Sequence, residues 1–282
     1  MKKIIALALS AILAGCLLFT GCAKNDSLVI AIPNDTTNEA RALMLLESLG
    51  YIQLKEGAGV TATVKDIVSN PYNLSFKEME AAQLPRVLEE MDYAIINSNY
   101  AIDAGMNPVK DSLAIEGSAA VYANILSVKK GNEENPAILA LVAALQSQEV
   151  VDFINEKYAG SVVSSVEKAT DGYDATIDYD ALKGTNLKVA ATATPHGEIL
   201  EIAKKILAAK EITLEVFIYT DYVQPNNVVE SGEMDANYFQ HVPYMDDFNS
   251  ANGTHLVSVA AIHNEPMGLY GGKQTSLDAI KK

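Results

Sequence analysis

The sequence predicts an α/β protein built from two similar lobes. Short apolar runs alternate with stretches of helical periodicity, which is typical of buried parallel strands covered by helices. The run at residues 28–32 (LVIAI) has a counterpart at residues 187–191 (LKVAA), and an offset of 159 residues relates the two. Each run is followed by a loop and a helical pattern, so the chain contains an internal repeat. No cysteine follows residue 22, so packing alone must stabilise the lobes.

The first 22 residues predict a lipoprotein signal peptide. Two lysines precede an apolar run over residues 4–19, which is shorter than the roughly 20 residues that a membrane-spanning helix needs. The run ends in a segment that resembles a lipobox, with Cys22 as the lipidated residue. Cys16 also fits such a motif, but cleavage there would leave LLFTGC exposed, so we expect lipidation at Cys22. The protein should then lie at the extracytoplasmic face of the cell membrane, held by its lipid.

The charge of the chain excludes several classes of partner. Its formal charge is −15, and removal of the two lysines of the signal peptide makes the mature body more acidic. Such a body is a poor binder of nucleic acid and is repelled by anionic lipid. We therefore expect membrane attachment through the lipid anchor and no nucleic-acid partner.

The first half of the body, residues 28–159, alternates between predicted strands and helices. Residues 33–37 supply a turn and helix-capping groups, and Gly50 ends the first helix. Pro136 suits the first position of a later helix. The predicted strands lie at residues 28–32, 93–97 and 121–128, and the predicted helices at residues 38–49, 83–91, 136–146 and 148–158.

The second half begins after a segment rich in Ser, Asp and Gly at residues 161–183, which predicts a linker or a surface excursion. Its acidic residues lack the spacing of a calcium-binding EF-hand. A strand at 187–193 and a helix at 197–209 follow. The segment 221–244 then crowds Tyr, Phe and His together with amides, which indicates one wall of a binding site. A secreted, tethered protein with two lobes suggests a solute receptor with a cleft between them.

Six stretches carry a resemblance to the methionine-binding lipoproteins of ABC importers, the NlpA/MetQ-like family. As a set they are specific, and together the similar regions cover almost all of residues 28–159 and 187–282. The stretches are IPNDTTNEARA (32–42), EMEAAQLPRV (78–87), AIINSNYAI (94–102), DYVQPN (221–226), DANYFQHVPY (235–244) and NEPMGLY (264–270).

The resemblance implies an α/β, two-lobed periplasmic-binding-protein fold, type II-like, with the ligand cleft between the lobes. The halves stand in exchanged order, because in the family the portion similar to residues 187–282 comes first. The resemblance therefore implies a circularly permuted chain. One lobe is expected at residues 28–117 plus 271–282, and the other at 118–270 with the linker at about 161–183. A fragment of a tandem duplication, with halves that exchange between two chains, is the alternative.

The function implied by the resemblance is that of a lipid-anchored substrate-binding protein, which binds L-methionine and delivers it to an ABC permease without a cofactor. Alternatives are a receptor for D-methionine or a methionine-containing dipeptide, and a surface lipoprotein such as an adhesin on the same fold. The sequence does not favour an enzyme. It contains no nucleophile elbow, P-loop or HExxH motif, and its four histidines lack metal-ligand spacing.

The implied head-group site begins with Arg41, which matches the family's arginine after its PNDPTN motif. A carboxylate inside a closed cleft needs a paired cation, and arginine offers two parallel donors. Asn97 and Asn124 interrupt or end apolar runs, and the resemblance implies that they bind the head group. Their amide oxygen could accept from the ammonium, or their NH₂ could donate to the carboxylate. We expect Asn38, one turn before Arg41, to order the start of the helix.

The implied thioether wall consists of Tyr222, Phe239 and His241, which match aromatic and histidine positions of the family. Contacts between sulfur and aromatic rings are worth about 0.3–1.5 kcal/mol each. His241 follows Phe239 by two residues and should lie on the same side of an extended segment. Tyr238 points the other way, so we expect it in the core.

Overall fold

The computed structural model describes residues 27–117 and 120–281, so the signal peptide and Cys22 lie outside the described residues. The strands are β1 (Val29–Pro33), β2 (Gln53–Leu54), β3 (Ile67–Ser69), β4 (Ser75–Met79), β5 (Tyr93–Ile96), β6 (Ala114–Ile115), β7 (Ala123–Lys129), β8 (Val163–Ser164), β9 (Asn186–Ala191), β10 (Thr213–Ile218), β11 (Ala236–His241), β12 (Leu256–Asn264) and β13 (Gly268–Gly271). The helices are α1 (Thr36–Ser48), α2 (Leu84–Val87), α3 (Ser98–Asp103), α4 (Pro108–Asp111), α5 (Pro136–Leu145), α6 (Gln148–Tyr158), α7 (Glu198–Ala208), α8 (Gln224–Glu230) and α9 (Val242–Asn252).

Two sheets with matching topology form the centres of the two lobes. The first sheet has the order β4-β1-β5-β13-β6, and the second has the order β10-β9-β11-β7-β12-β8. In the first, β1 runs parallel to β4 and β5, and β13 runs antiparallel to β5. In the second, β9 runs parallel to β10 and β11, and β7 runs antiparallel to β11. The two strands related by the sequence repeat thus hold equivalent places, and the predicted two-lobed α/β fold is confirmed.

Local sequence explains where the helices begin and end. The side chain of Asp35 accepts a hydrogen bond from the backbone N–H of Asn38 and caps α1, and Gly50 follows that helix with a positive φ of 75°. Asn135 caps α5 in the same way before Pro136. His241 caps α9, because its ring accepts from the backbone N–H of Tyr244. Predicted and observed helix ends agree within about two residues, except that the predicted helix at 83–91 is α2 followed by a 3-10 turn at Leu88–Glu90.

Both sheets are buried on their two faces. In β1, Ile30 and Ile32 belong to one apolar cluster, whereas Ala31 between them belongs to the cluster on the opposite face. In the second lobe, Val189 and Ala190 divide in the same way between two clusters. Continuous apolar strands of this kind need helices on both faces, which is why the apolar runs could be recognised from sequence.

The segment 161–183 is not a free linker. It contains β8, which pairs with β12, and its side chains Tyr173, Ile177, Tyr179 and Leu182 pack half-buried against the core of the second lobe. The ammonium of Lys210 lies 4.5 Å from the centre of the Tyr173 ring. The acidic composition therefore hid a set of spaced apolar residues, and the segment is a surface excursion fixed to one lobe.

The predicted boundary between the lobes at residue 270 is also wrong by a few residues. Strand β13 belongs to the first sheet, so residues 265–267 form the connection that leads from β12 back to the first lobe. The other connection includes residues 118–119, which lie outside the described residues. Within residues 27–117 and 120–281, no helix combines the length and apolar character needed to cross a bilayer.

Candidate functional site

A partly enclosed cavity lies between the two lobes, next to the connection at residues 265–267. All the ligand-binding residues predicted from sequence line it: Arg41, Asn97, Asn124, Tyr222, Phe239 and His241. The lining also includes Asn38, Ser98, Asn99, His196, Gln240, Tyr244 and Glu265.

The parallel strands explain why these residues meet. Asn97 follows the carboxyl end of β5, and Arg41 lies in α1, which follows β1. His241 ends β11 in the other sheet. Ligands in open α/β sheets bind beyond the carboxyl ends of the strands, and here two such edges face each other.

Arg41 is buried and already has a carboxylate partner. Its Nε lies 3.2 Å from Oε1 of Glu116 and its Nη2 lies 2.5 Å from Oε2, a two-pronged ion pair. Nη2 also donates to the backbone oxygen of Glu265 at 3.1 Å, and the guanidinium lies 4.4 Å from the ring centre of Tyr122. Among the described residues, none accepts from Nη1, which leaves this nitrogen for a ligand. No pattern in the sequence indicates this role of Glu116.

A hydrogen-bonded relay makes Asn97 an acceptor. Oδ1 of Asp35 accepts from Nδ2 of Asn38 at 2.8 Å, and Oδ1 of Asn38 accepts from Nδ2 of Asn97 at 2.9 Å. Because a carboxylate can only accept, Asp35 fixes the orientation of both amides in turn. Oδ1 of Asn97 is thereby left buried, with no donor within the part of the chain that the structure describes. A buried acceptor of this kind calls for a donor from the ligand.

Asn124 has the opposite polarity. Its Oδ1 lies 2.8 Å from Nε2 of His196, and that nitrogen also lies 3.2 Å from Oε1 of Glu265. Both neighbours are acceptors, so Nε2 must carry the proton, and Nδ1 of His196 accepts from the hydroxyl of Thr192 at 2.7 Å. Burial, and then the nearby His263, lower the pKa of His196 well below its ordinary value. With its oxygen engaged, Asn124 can offer its NH₂ group to a carboxylate.

Aromatic rings form the other end of the cavity. The ring of Tyr222 lies 5.7 Å from Phe239 and 5.9 Å from Tyr244, measured between centres. The hydroxyl of Tyr222 donates to Oδ1 of Asn99 at 2.7 Å, which links the two lobes across the cleft. Nδ2 of Asn99 is buried and has no acceptor among residues 27–117 and 120–281. This end therefore offers polarizable surface and one donor.

His241 is a neutral donor at the edge of this aromatic end. Its Nδ1 accepts from the backbone N–H of Tyr244 at 3.2 Å, so its proton lies on Nε2. Burial, together with the positive charge of Arg41, lowers the pKa of His241 well below its ordinary value. Tyr238 is fully buried in the core of the second lobe, as predicted.

Three buried side chains at one side of the cavity have a spacing that a metal ion could use. Ligand atoms of His196, His263 and Glu265 all lie within 4.8 Å of one another. Hydrogen bonds already account for this arrangement, because Nε2 of His263 lies 2.8 Å from Oε1 of Glu265 and the hydroxyl of Tyr238 contacts Nδ1 of His263. We therefore interpret the cluster as a network that holds Glu265.

Sequence reasoning missed several of these residues although the signals were present. Asn99 and Glu265 lie inside two of the stretches that carry the family resemblance, and His196 lies in the loop after the repeated strand. Asn38 was expected to order the helix start, and the structure gives it an additional place in the relay to Asn97. No pattern in the sequence indicates hydrogen bonds between residues so far apart in the chain.

Sequence comparison finds relatives of this chain, and each match covers about half of the relative. "Membrane lipoprotein TpN32" of Treponema pallidum is 48% identical over 136 residues, which is 48% of this chain and 51% of that protein. "D-methionine-binding lipoprotein MetQ" of Yersinia pestis is 43% identical over 136 residues, which is 48% of this chain and 50% of that protein. The chain thus spans about half the length of the curated relatives it matches.

Solved structures show the same partial coverage. A nutrient-binding protein from Burkholderia cenocepacia bound to methionine has 46% sequence identity and a TM-score of 0.48, and the match covers 50% of this chain and 59% of that one. The family model of the NlpA lipoproteins, in contrast, matches both halves, at residues 24–166 and 187–282. Since the two matched segments together make up most of the chain, this protein belongs to the NlpA lipoprotein family.

Proposed function

We propose that this protein captures methionine in the cavity between its lobes and delivers it to the permease of an ABC importer. The observation that carries the proposal is the polarity of the cavity. Cationic and amide donors (Arg41 and Asn124) and a buried amide acceptor (Asn97) lie together, and the rings of Tyr222 and Phe239 complete the lining. An amino acid with a long, polarizable side chain needs such a combination.

The binding mode follows from the donors and acceptors. The ligand carboxylate pairs with Nη1 of Arg41 and with the NH₂ group of Asn124, and the ammonium donates to Oδ1 of Asn97. The thioether packs against the rings of Tyr222 and Phe239, where sulfur is favoured over a simple alkyl group. The chemistry is binding and release, which fits a relative named as a D-methionine-binding lipoprotein. We further propose that a lipid on Cys22 holds the protein at the extracytoplasmic face of the membrane.

The exchanged order of the halves is part of the proposal, because both halves are needed to complete the cavity. We propose a circularly permuted monomer. Two contacts support it: Oδ2 of Asp92 accepts from the backbone N–H of Val29 at 2.9 Å, and Oδ1 accepts from Nε2 of Gln274 at 3.0 Å. The start and the end of the first lobe therefore meet at one side chain.

Titration calorimetry of the mature chain tests the proposal, with L-methionine, D-methionine and glycyl-methionine as ligands and leucine as a control. We expect one site per chain, with methionine bound more tightly than leucine, and native mass spectrometry should find a monomer with one ligand. A cooperatively folded protein that binds none of the three methionine compounds would contradict the proposed function. An obligate dimer that binds methionine would contradict the permuted monomer alone.

A further inference from the structure

Glu265 is a buried carboxylate on the connection between the lobes. It follows β12 directly, it lines the cavity, and only 8% of it is exposed. Its Oε1 lies 2.8 Å from Nε2 of His263 and 3.2 Å from Nε2 of His196. No motif in the sequence assigns a role to this residue.

Two histidine side chains have an Nε2 atom within hydrogen-bonding distance of this carboxylate. Nε2 of His196 carries its proton because it faces two acceptors, and Nε2 of His263 can donate because its Nδ1 meets the hydroxyl of Tyr238. Hydrogen bonds from N–H donors stabilise a carboxylate's negative charge. His196 does not cancel that charge, because burial keeps it neutral.

No lysine or arginine side chain among the described residues pairs with the carboxylate of Glu265. The guanidinium of Arg41 pairs with the carboxylate of Glu116 and contacts Glu265 only through the backbone oxygen. No described residue donates to the second carboxylate oxygen of Glu265, Oε2. A buried charge without a partner is costly, and one that lines a cavity can be paired by a ligand of opposite charge.

We infer that Glu265 is the counter-ion of the ligand's primary ammonium group and restricts the site to amino acids with an unblocked α-amino group. This inference rests on the proposed function. The ammonium lies between two acceptors, Oε2 of Glu265 and Oδ1 of Asn97. The relay from Asp35 leaves Oδ1 of Asn97 without a donor. A ligand with an amide or a hydrogen in place of the ammonium leaves Glu265 buried and unpaired. N-acylated methionine, and peptides with methionine after the first residue, are therefore rejected.

The test removes the charge from either partner and measures both affinities by calorimetry. Glu265→Gln keeps the size of the side chain and an oxygen that can accept from both histidines. The ligand pair is L-methionine and 4-(methylthio)butanoate, which is methionine without its amino group. Breaking one side of a buried charge pair typically costs a factor of about 30 or more in affinity. We expect the wild-type protein to prefer L-methionine by at least about 100-fold, and the variant to prefer it by less than about 10-fold.

Glu230→Gln is the matched control, because Glu230 also accepts from a histidine, His255 at 3.2 Å, but lies outside the cavity. This control should keep the wild-type preference. An unchanged preference in a folded Glu265→Gln variant would overturn the inference and leave the proposed function intact. If that variant does not fold, the wild-type protein alone provides the test. The inference is overturned if it binds 4-(methylthio)butanoate or N-acetyl-L-methionine as tightly as L-methionine. A wild-type protein that binds neither compound contradicts the proposed function, and this inference with it.

Discussion

The two lobes contribute the same topological positions to the cavity but fill them with different chemistry. The helix after β1 supplies Arg41, whereas the equivalent loop after β9 supplies the neutral His196. The residue after β5 is Asn97, whereas β11 ends in Phe239, Gln240 and His241. The internal repeat therefore fixes where side chains point, and the individual residues decide what they recognise.

This difference separates affinity from selectivity. Arg41 and Asn97 of the first lobe contact the carboxylate and the ammonium that all amino acids share, so these contacts should strengthen the binding of any amino acid. Ring contacts with the second lobe are individually weak, but they depend on the ligand side chain. Substitutions in the two lobes should accordingly give different signatures when several ligands are compared.

The largest effect is expected for Arg41→Gln. The change leaves both the ligand carboxylate and Glu116 without a cation, so affinity should fall by about 2–5 kcal/mol, or roughly 30- to 4,000-fold. Methionine and norleucine should lose equally, because both carry the same head group. Calorimetry with the two ligands measures this. The double variant Arg41→Gln/Glu116→Gln should recover thermal stability without recovering affinity, and a selective loss of methionine would contradict the division between the lobes.

A smaller and selective effect is expected for Phe239→Leu. Loss of the sulfur–aromatic contact should weaken methionine binding by about 0.3–1.5 kcal/mol, or roughly 2- to 12-fold, and norleucine binding by less. Competition binding with both ligands gives the ratio directly. Phe76→Leu, the same change in the core of the first lobe, serves as the control and should leave the ratio unchanged. Equal losses of affinity for both ligands after Phe239→Leu would show that the ring does not distinguish sulfur from a methylene group.

The smallest effect concerns pH, and its sign should differ between the lobes. Burial, assisted by the charge of Glu78, raises the pKa of Glu39 in the first lobe from 4.5 to about 7. Between pH 4.5 and pH 7 the Glu39 carboxyl is therefore protonated in the folded chain and ionised in the unfolded chain. The free energy of unfolding accordingly increases as pH falls from 7 to 4.5. Burial lowers the pKa of His196 and His241 below 6.5, so the second lobe loses stability as pH falls below 6.5.

Hydrogen exchange at pH 7.5 and pH 5.0, corrected for intrinsic rates, measures this contrast lobe by lobe. Protection of the first lobe should rise at the lower pH and protection of the second should fall. Glu39→Gln should remove most of the change in the first lobe, and thermal melts should show the variant gaining more at pH 7.5 than at pH 5.0. Parallel changes in both lobes would contradict the assignment.

The two-lobed fold could be predicted because several of its central strands are continuous apolar runs. Residues 28–32 and 93–97 are buried on both faces, and such strands show in the sequence without knowledge of their partners. For the segment 161–183 the sequence left a linker and a surface excursion open, because its composition does not show that the apolar residues between its acidic ones attach it to the second lobe. The boundary at residue 270 was misplaced because β13 is short and pairs with strands distant in the chain.

The site could be predicted only as far as residue type reveals a role. The residue types of Arg41 and Phe239 indicate a cation and an aromatic wall. Whether an asparagine donates or accepts, however, depends on its neighbours. The sequence left both options open for Asn97 and Asn124, and the structure gives them opposite polarity through Asp35 and His196. Such assignments need hydrogen bonds between residues up to 72 positions apart, as for Asn124 and His196.

The position of Glu265 has a mechanical consequence. Its connection is joined to the first lobe by Arg41, and its neighbour Met267 exchanges hydrogen bonds with Glu116. If the lobes rotate about this connection, the residues on it lie on the axis and travel least, while residues far from it travel most. Tyr222 also lines a second pocket, between the lobes. It then moves away from Asn99, and the hydrogen bond between the two side chains breaks. We expect methionine to enter amino-acid end first, anchor at the pivot, and have its thioether covered last.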